Sequence, residues 1–143
     1  MNVAEILKGK GGRIIAARPD DTIESVVATL AREKIGALLV REDDGRVLGV
    51  IFERDIVSGI ARAGAALLKQ KASDLMTRNV VYCSPRDSIQ AVMERMTERR
   101  FRHMPVLEGD GLAGIISIGD VVKARIGEAE LEARSLKEYI ATG

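Results

Sequence analysis

Apolar and polar positions follow two rhythms along this chain, and the same succession of rhythms occurs twice. From Ile23, apolar residues recur at Val26, Val27 and Leu30; from Ile89 they recur at Val92, Met93 and Met96. Both stripes have the i, i+3, i+4, i+7 spacing of an amphipathic helix. Asp21 with Glu24, and Asp87 with Gln90, stand at capping-box spacing in front of these helices, with the aspartate expected as the cap. A short apolar strand follows each helix, Ala37 to Val40 and Met104 to Leu107. Asp44-Gly45 and Asp110-Gly111 then supply turn chemistry, and Val47 to Phe52 and Leu112 to Ser117 return as second strands. Further helices are expected to begin near Glu53 and Ile118. With short strands around Ile14-Ile15 and Val80-Val81 in front, each half reads β-α-β-β-α.

The two halves are related residue by residue. Pro19-Asp20-Asp21-Thr22-Ile23 reappears as Pro85-Arg86-Asp87-Ser88-Ile89, an offset of 66 that also carries Val40 onto Val106. One residue drops out after the turn, and an offset of 65 takes Gly49 to Gly114, Ile51 to Ile116 and Asp55 to Asp120. This is an internal duplication. Half a core of this size is too small to stand alone, so the repeats are expected to pack sheet to sheet around a pseudo-twofold axis. The division expected is repeat 1 over 1–62, a connector over 63–75, repeat 2 over 76–126 and a helical tail over 127–143. In the tail, Val122, Ile126, Ala129, Ala133, Leu136 and Ile140 have the spacing of a helix–helix seam. That seam either joins a second copy or packs back on its own domain.

Composition narrows the chemistry. The 143 residues carry 22 Lys and Arg against 21 Asp and Glu, a net charge of +1 that implies no polyanionic partner. Aromatic residues are 3% with no Trp, too few for a base-stacking platform, so a nucleic-acid role is not expected. One cysteine, Cys83, and one histidine, His103, exclude disulfide frameworks and His/Cys zinc sites, and no metal site is expected. His103 stands in no Ser-His-Asp arrangement, so no catalytic residue is assigned. The first ten residues lack the apolar core of a signal peptide, and no segment is apolar enough to span a bilayer. A cytoplasmic protein with no membrane association is the expectation.

The duplicated Gly-x-x-x-x-x-Asp at each strand-to-helix junction, with Ser117-Ile118-Gly119-Asp120 in the second copy and Glu53-Arg54-Asp55-Ile56-Val57 in the first, resembles the signature of tandem CBS domains. Arg102-His103-Met104-Pro105-Val106 resembles the strand motif before it, and the match runs over roughly residues 1 to 126. The resemblance implies an α/β (α+β) fold of two CBS repeats, a Bateman module, with an additional C-terminal helix. It implies a non-catalytic regulatory module that binds an adenosyl compound, such as AMP, ADP, ATP, NAD(H) or S-adenosylmethionine, in clefts between the repeats and senses energy or redox state. It also implies a homodimer acting on a regulated protein in trans. A ligand-free adaptor dimer is the alternative, and a nucleotide-processing enzyme a more distant one.

Within that resemblance, Asp120 would accept hydrogen bonds from the ribose hydroxyls, since a carboxylate offers two oxygens to a vicinal diol. Asp55 is its counterpart, and both would otherwise serve as first-turn helix acids. Ser117 can donate to a phosphate or ribose oxygen, or simply cap its helix. Phe52 departs from the family pattern of Ser or Thr, which puts the first site in doubt as a phosphate pocket. Arg102, His103 and Arg54 are candidate phosphate contacts. Adenine would lie against Val80, Val81, Met104 and Pro105 in copy two, and against Ile14, Ile15, Ile35, Gly36 and Ala37 in copy one. All nine would equally serve as core residues.

Overall fold

A computed structural model describes residues 1–11, 14–109 and 111–142. It is a mixed α/β structure with two small sheets and a long C-terminal helix. The chain divides into two compact units, Ile14–Val81 on one side and Met1–Arg13 together with Tyr82–Gly143 on the other.

The contiguous unit holds a three-stranded sheet in the order β1 (Ala16–Ala17), β2 (Ala37–Arg41), β3 (Val47–Phe52). β1 runs parallel to β2, and β2 pairs antiparallel with β3, placing Ala37 opposite Phe52. Helix α2 (Ile23–Glu33) turns Ile23, Val26 and Leu30 into the core, as its stripe predicts, and these meet Leu38, Val40 and Ile51 of the sheet. Helix α3 (Glu53–Ala63) leaves directly from β3. Residues 63–75, expected as a connector, hold a 3₁₀ turn (Gly64–Lys69) and a short helix α4 (Ala72–Leu75). Leu67 and Ala72 from this stretch are fully buried in the same core.

The other unit repeats the plan. Helix α5 (Ile89–Arg99) buries Ile89, Val92 and Met96 against an antiparallel pair of β4 (His103–Glu108) and β5 (Gly111–Ser117), and α6 (Ile118–Thr142) leaves from β5. Asp110, expected at the turn, lies outside the described residues, as does Gly143 at the end of the tail. An N-terminal helix α1 (Val3–Lys10) packs on β5 and α6 with Val3 fully buried. Its start carries a capping box, Asn2 with Glu5.

Two local expectations are corrected. The caps of α2 and α5 are Thr22 and Ser88, whose hydroxyls accept from the Ser25 and Ala91 amides. Asp21 and Asp87 close the preceding turns instead, accepting from the Arg18 and Ser84 amides at 2.9 Å each. A short side chain in a Pro-x-Asp turn reaches back to its own turn more easily than forward into the helix. Likewise, the strands expected at Ile14-Ile15 and Val80-Val81 are displaced. Pairing occurs at Ala16–Ala17, and in the second repeat only as a parallel bridge from Cys83 to Val106. The ladder forms where small buried residues, Ala17 and Cys83, sit against the neighbouring strand, rather than where β-branched residues cluster.

Candidate functional site

Each β-hairpin ends at a helix whose first turn contains the duplicated aspartate. At the β5–α6 junction the Asp120 carboxylate accepts the Ser117 amide at 2.8 Å, and the Ser117 hydroxyl accepts the Asp120 amide at 3.1 Å. This reciprocal capping box fixes both side chains. At the β3–α3 junction only half of it exists. Asp55 accepts the Phe52 amide at 2.9 Å, and Phe52 has no hydroxyl to return.

Each aspartate is held by a second contact from a segment far away in sequence. Lys10, in the last turn of α1, places Nζ 2.8 Å from Asp120 Oδ2 and donates to the Ile115 carbonyl at 3.2 Å. In the contiguous unit Thr77 fills the equivalent place. Its backbone pairs with Val50, the counterpart of Ile115, and its hydroxyl donates to Asp55 Oδ2 at 3.1 Å. The repeated glycines make room for these segments. A Cβ on Gly49 would stand 2.6 Å from the Thr77 carbonyl oxygen, and one on Gly114 would stand 2.8 Å from Leu7 of α1.

The two carboxylates therefore differ electrostatically. Burial pushes the Asp120 carboxyl up, but the Lys10 and Ser117 hydrogen bonds outweigh it and hold the group below the usual carboxylate range. Asp55 forms no ion pair among the described residues. In both, Oδ2 takes every hydrogen bond described, and Oδ1 has no partner among the described residues.

Several candidate residues gather around these junctions. His103 pairs with Ser117 across the hairpin, and the Arg102 carbonyl accepts the Ile118 amide at 2.7 Å, so both flank Asp120. Arg102 is exposed and His103 half-buried. By the same geometry Ala37 lies opposite Phe52, and the Gly36 carbonyl accepts the Glu53 amide, beside exposed Arg54 and half-buried Asp55. Met104, Pro105 and Ala37 are buried, while Ile15 and Ile35 pack against the core of their unit. Val80 and Val81 are half-buried and belong to the contiguous unit. Ile14 is elsewhere, lining an open groove of about 380 Å³ at the turn end of the sheet with Arg18, Arg41 and Asp44. Lys10 and Thr77 were not among the candidates.

A hairpin running into a helix capped by Gly-x-x-x-x-x-Asp, built twice, defines the class. The CBS domain profile matches residues 10–62 and 72–127, and the chain belongs to the CBS domain family, carrying two of its domains. Among its relatives is a mitochondrial CBS domain-containing protein of Arabidopsis thaliana, 32% identical over 99% of this chain and 72% of that one. The crystal structure of a CBS-domain containing protein from Agrobacterium tumefaciens is 49% identical, covers 87% of this chain and 99% of that one, and superposes with a TM-score of 0.84. A more distant structure, CBSX2 in complex with AMP, is 22% identical over 90% of this chain and 98% of that one, with a TM-score of 0.76. No described helix is long and apolar enough to cross a membrane.

Proposed function

We propose that this chain is a non-catalytic regulatory module that binds an adenosine nucleotide, AMP foremost, and that the Asp120 junction is its better site. The observation that carries the reading is the duplicated first-turn carboxylate, fixed through Oδ2 by its capping bonds and with no partner for Oδ1 among the described residues. A ribose diol suits such an acceptor. That a CBS protein of the same fold was solved with AMP supports the ligand class. Ser117 and the neighbouring Arg102 and His103 add donors at the Asp120 junction, where the first repeat has Phe52, Gly36 and Ala37. Residues 1–62 and 76–126 act as the two repeats, with α1 of the first packed in the unit of the second. The module acts as a homodimer on a protein in trans, with α6 as the element joining the copies. Val122, Ile126, Leu136 and Ile140 on that helix are 42–70% exposed, so its apolar stripe does not pack back on its own unit.

Calorimetric titration of the ligand-free protein with AMP tests the reading. Asn keeps the capping acceptor but loses the charge, so Asp120→Asn should preserve the fold and weaken AMP about tenfold or more, at roughly 1.5–3 kcal/mol per charge-assisted hydrogen bond. Asp55→Asn should cost less. Equal losses in the two variants would remove the site preference, and no binding of any adenosyl compound at millimolar concentration would refute the module as a sensor.

A further inference from the structure

The position of Lys10 distinguishes the two junctions more sharply than Ser117 against Phe52. Its ammonium has three N–H donors, and the structure uses two of them, on Asp120 Oδ2 and on the Ile115 carbonyl. The third has no partner among the described residues, and neither has Oδ1 of the carboxylate beside it. The side chain of Lys10 remains 40% exposed, so the donor is accessible. At the other junction the same place is held by the Thr77 hydroxyl, a neutral group.

We propose that Lys10 is a specificity residue of the Asp120 site, presenting its free N–H to the phosphate of a nucleotide so that the site prefers 5′-phosphorylated nucleosides to bare ones. The proposal rests on the adenosyl-site reading and extends it. A carboxylate that engages a ribose diol also repels the phosphate one sugar width away; a cation bound to that carboxylate cancels the repulsion and adds a charge-assisted hydrogen bond. The flexible four-carbon stem of lysine lets the ammonium pivot toward the phosphate while it stays near Asp120. The ion pair is too weak to act as a lock. An exposed pair of this kind is worth little, so its displacement would change affinity by no more than about fivefold. At the first junction Thr77 is neutral and neighbouring Arg54 makes no ion pair with Asp55 among the described residues, so no cation is bound to that carboxylate and the junction should discriminate less between adenosine and AMP.

The experiment compares AMP with adenosine by calorimetry on the full chain, in wild type, Lys10→Met and Lys10→Arg. The Ser117 cap of α6 is independent of Lys10, so the fold should persist; circular dichroism melts check it. Lys10→Met is expected to weaken AMP about tenfold and leave adenosine within about threefold, while Lys10→Arg retains most of the AMP affinity. Equal weakening of both ligands would reduce Lys10 to a support for Asp120 and overturn the proposal. Unchanged AMP affinity, or tighter AMP binding, would overturn it too. Wild-type protein that binds neither ligand defeats the nucleotide reading itself, and this proposal with it. AMP binding that depends on Asp120 but not on Lys10 defeats the proposal alone.

Discussion

Cys83 shows how a single residue ties the core to pH. It is buried, bridges to Val106 and points its thiol at the Pro105 carbonyl, 3.7 Å away. Burial pushes this thiol up to about 12; the nearby charge of Asp87 adds to the rise and Arg95 offsets part of it. The folded value lies above the ordinary one near 9, so the stabilisation from the neutral thiol is present below pH 9. It is lost as pH rises toward 12, because only the unfolded chain releases the proton easily. The urea midpoint of the wild type should therefore fall between pH 9 and 11 more steeply than that of Cys83→Ala. Parallel curves would mean that the thiol is not shielded. At neutral pH the same thiol should resist alkylation until the protein unfolds.

Among the elements, β3 and β5 are each crossed at a glycine by a segment remote in sequence, Met76-Thr77 in one unit and α1 in the other. Gly49 and Gly114 occupy matching places in β3 and β5, yet what crosses them differs in hardness. Gly49 faces the backbone of Thr77 and the side chain of Met76, whereas Gly114 faces the tip of Leu7. A backbone oxygen paired into a ladder cannot yield, but a leucine tip can change rotamer. Gly49→Ala should cost about 1–3 kcal/mol by chemical denaturation, through this clash alone. Gly114 also holds φ at +159°, where side chains rarely sit, so Gly114→Ala is strained even after Leu7 gives way and should cost about as much. A loss under about 0.5 kcal/mol in either variant would mean that the segment crossing it moves aside freely.

The same elements mark what the sequence made legible. The stripes of α2 and α5, the hairpin strands and the starts of α3 and α6 depend on neighbours within a few residues, and local spacing reveals them. So does the Ser117–Asp120 pair, three residues apart. The caps slipped by one residue because Asp21-Thr22 and Asp87-Ser88 each place two good capping side chains in succession, and local spacing does not rank them. Lys10 was illegible for another reason: its contact spans 110 residues, and nothing near Lys10 marks it as a partner of Asp120. Only the Asn2-x-x-Glu5 capping box offered a signal that a helix begins there. Thr77 carried no local signal of either kind.

At the scale of the molecule, α6 carries most of the exposed large apolar side chains among the described residues. Beyond residue 130 every described residue of this helix is exposed, with Leu131, Leu136, Tyr139 and Ile140 at 60% or more. An isolated helical stretch of this length is marginal in water, so a second copy is the element that would hold it. Removing residues 130–143 keeps the Met1–Glu128 ion pair and all the buried core. The truncated protein should stay folded and dissociate at concentrations where the intact chain is dimeric by light scattering. An intact chain that is monomeric at micromolar concentration would reject the dimer, and a truncated dimer of equal strength would reject only the role of the tail.

Because α1 is completed by residues from the far half of the chain, the order of synthesis has a consequence. Within Ile14–Val81 every segment of the unit is available as soon as that stretch leaves the ribosome. Helix α1 must wait for segments made much later, since Val3 bonds Asp87, Lys10 bonds Asp120 and Met1 meets Glu128. Contacts of such long range close slowly, and meanwhile α1 is an apolar segment without its partner. A bulky fusion at the amino terminus would burden this late step, whereas one placed after α6 would leave it free.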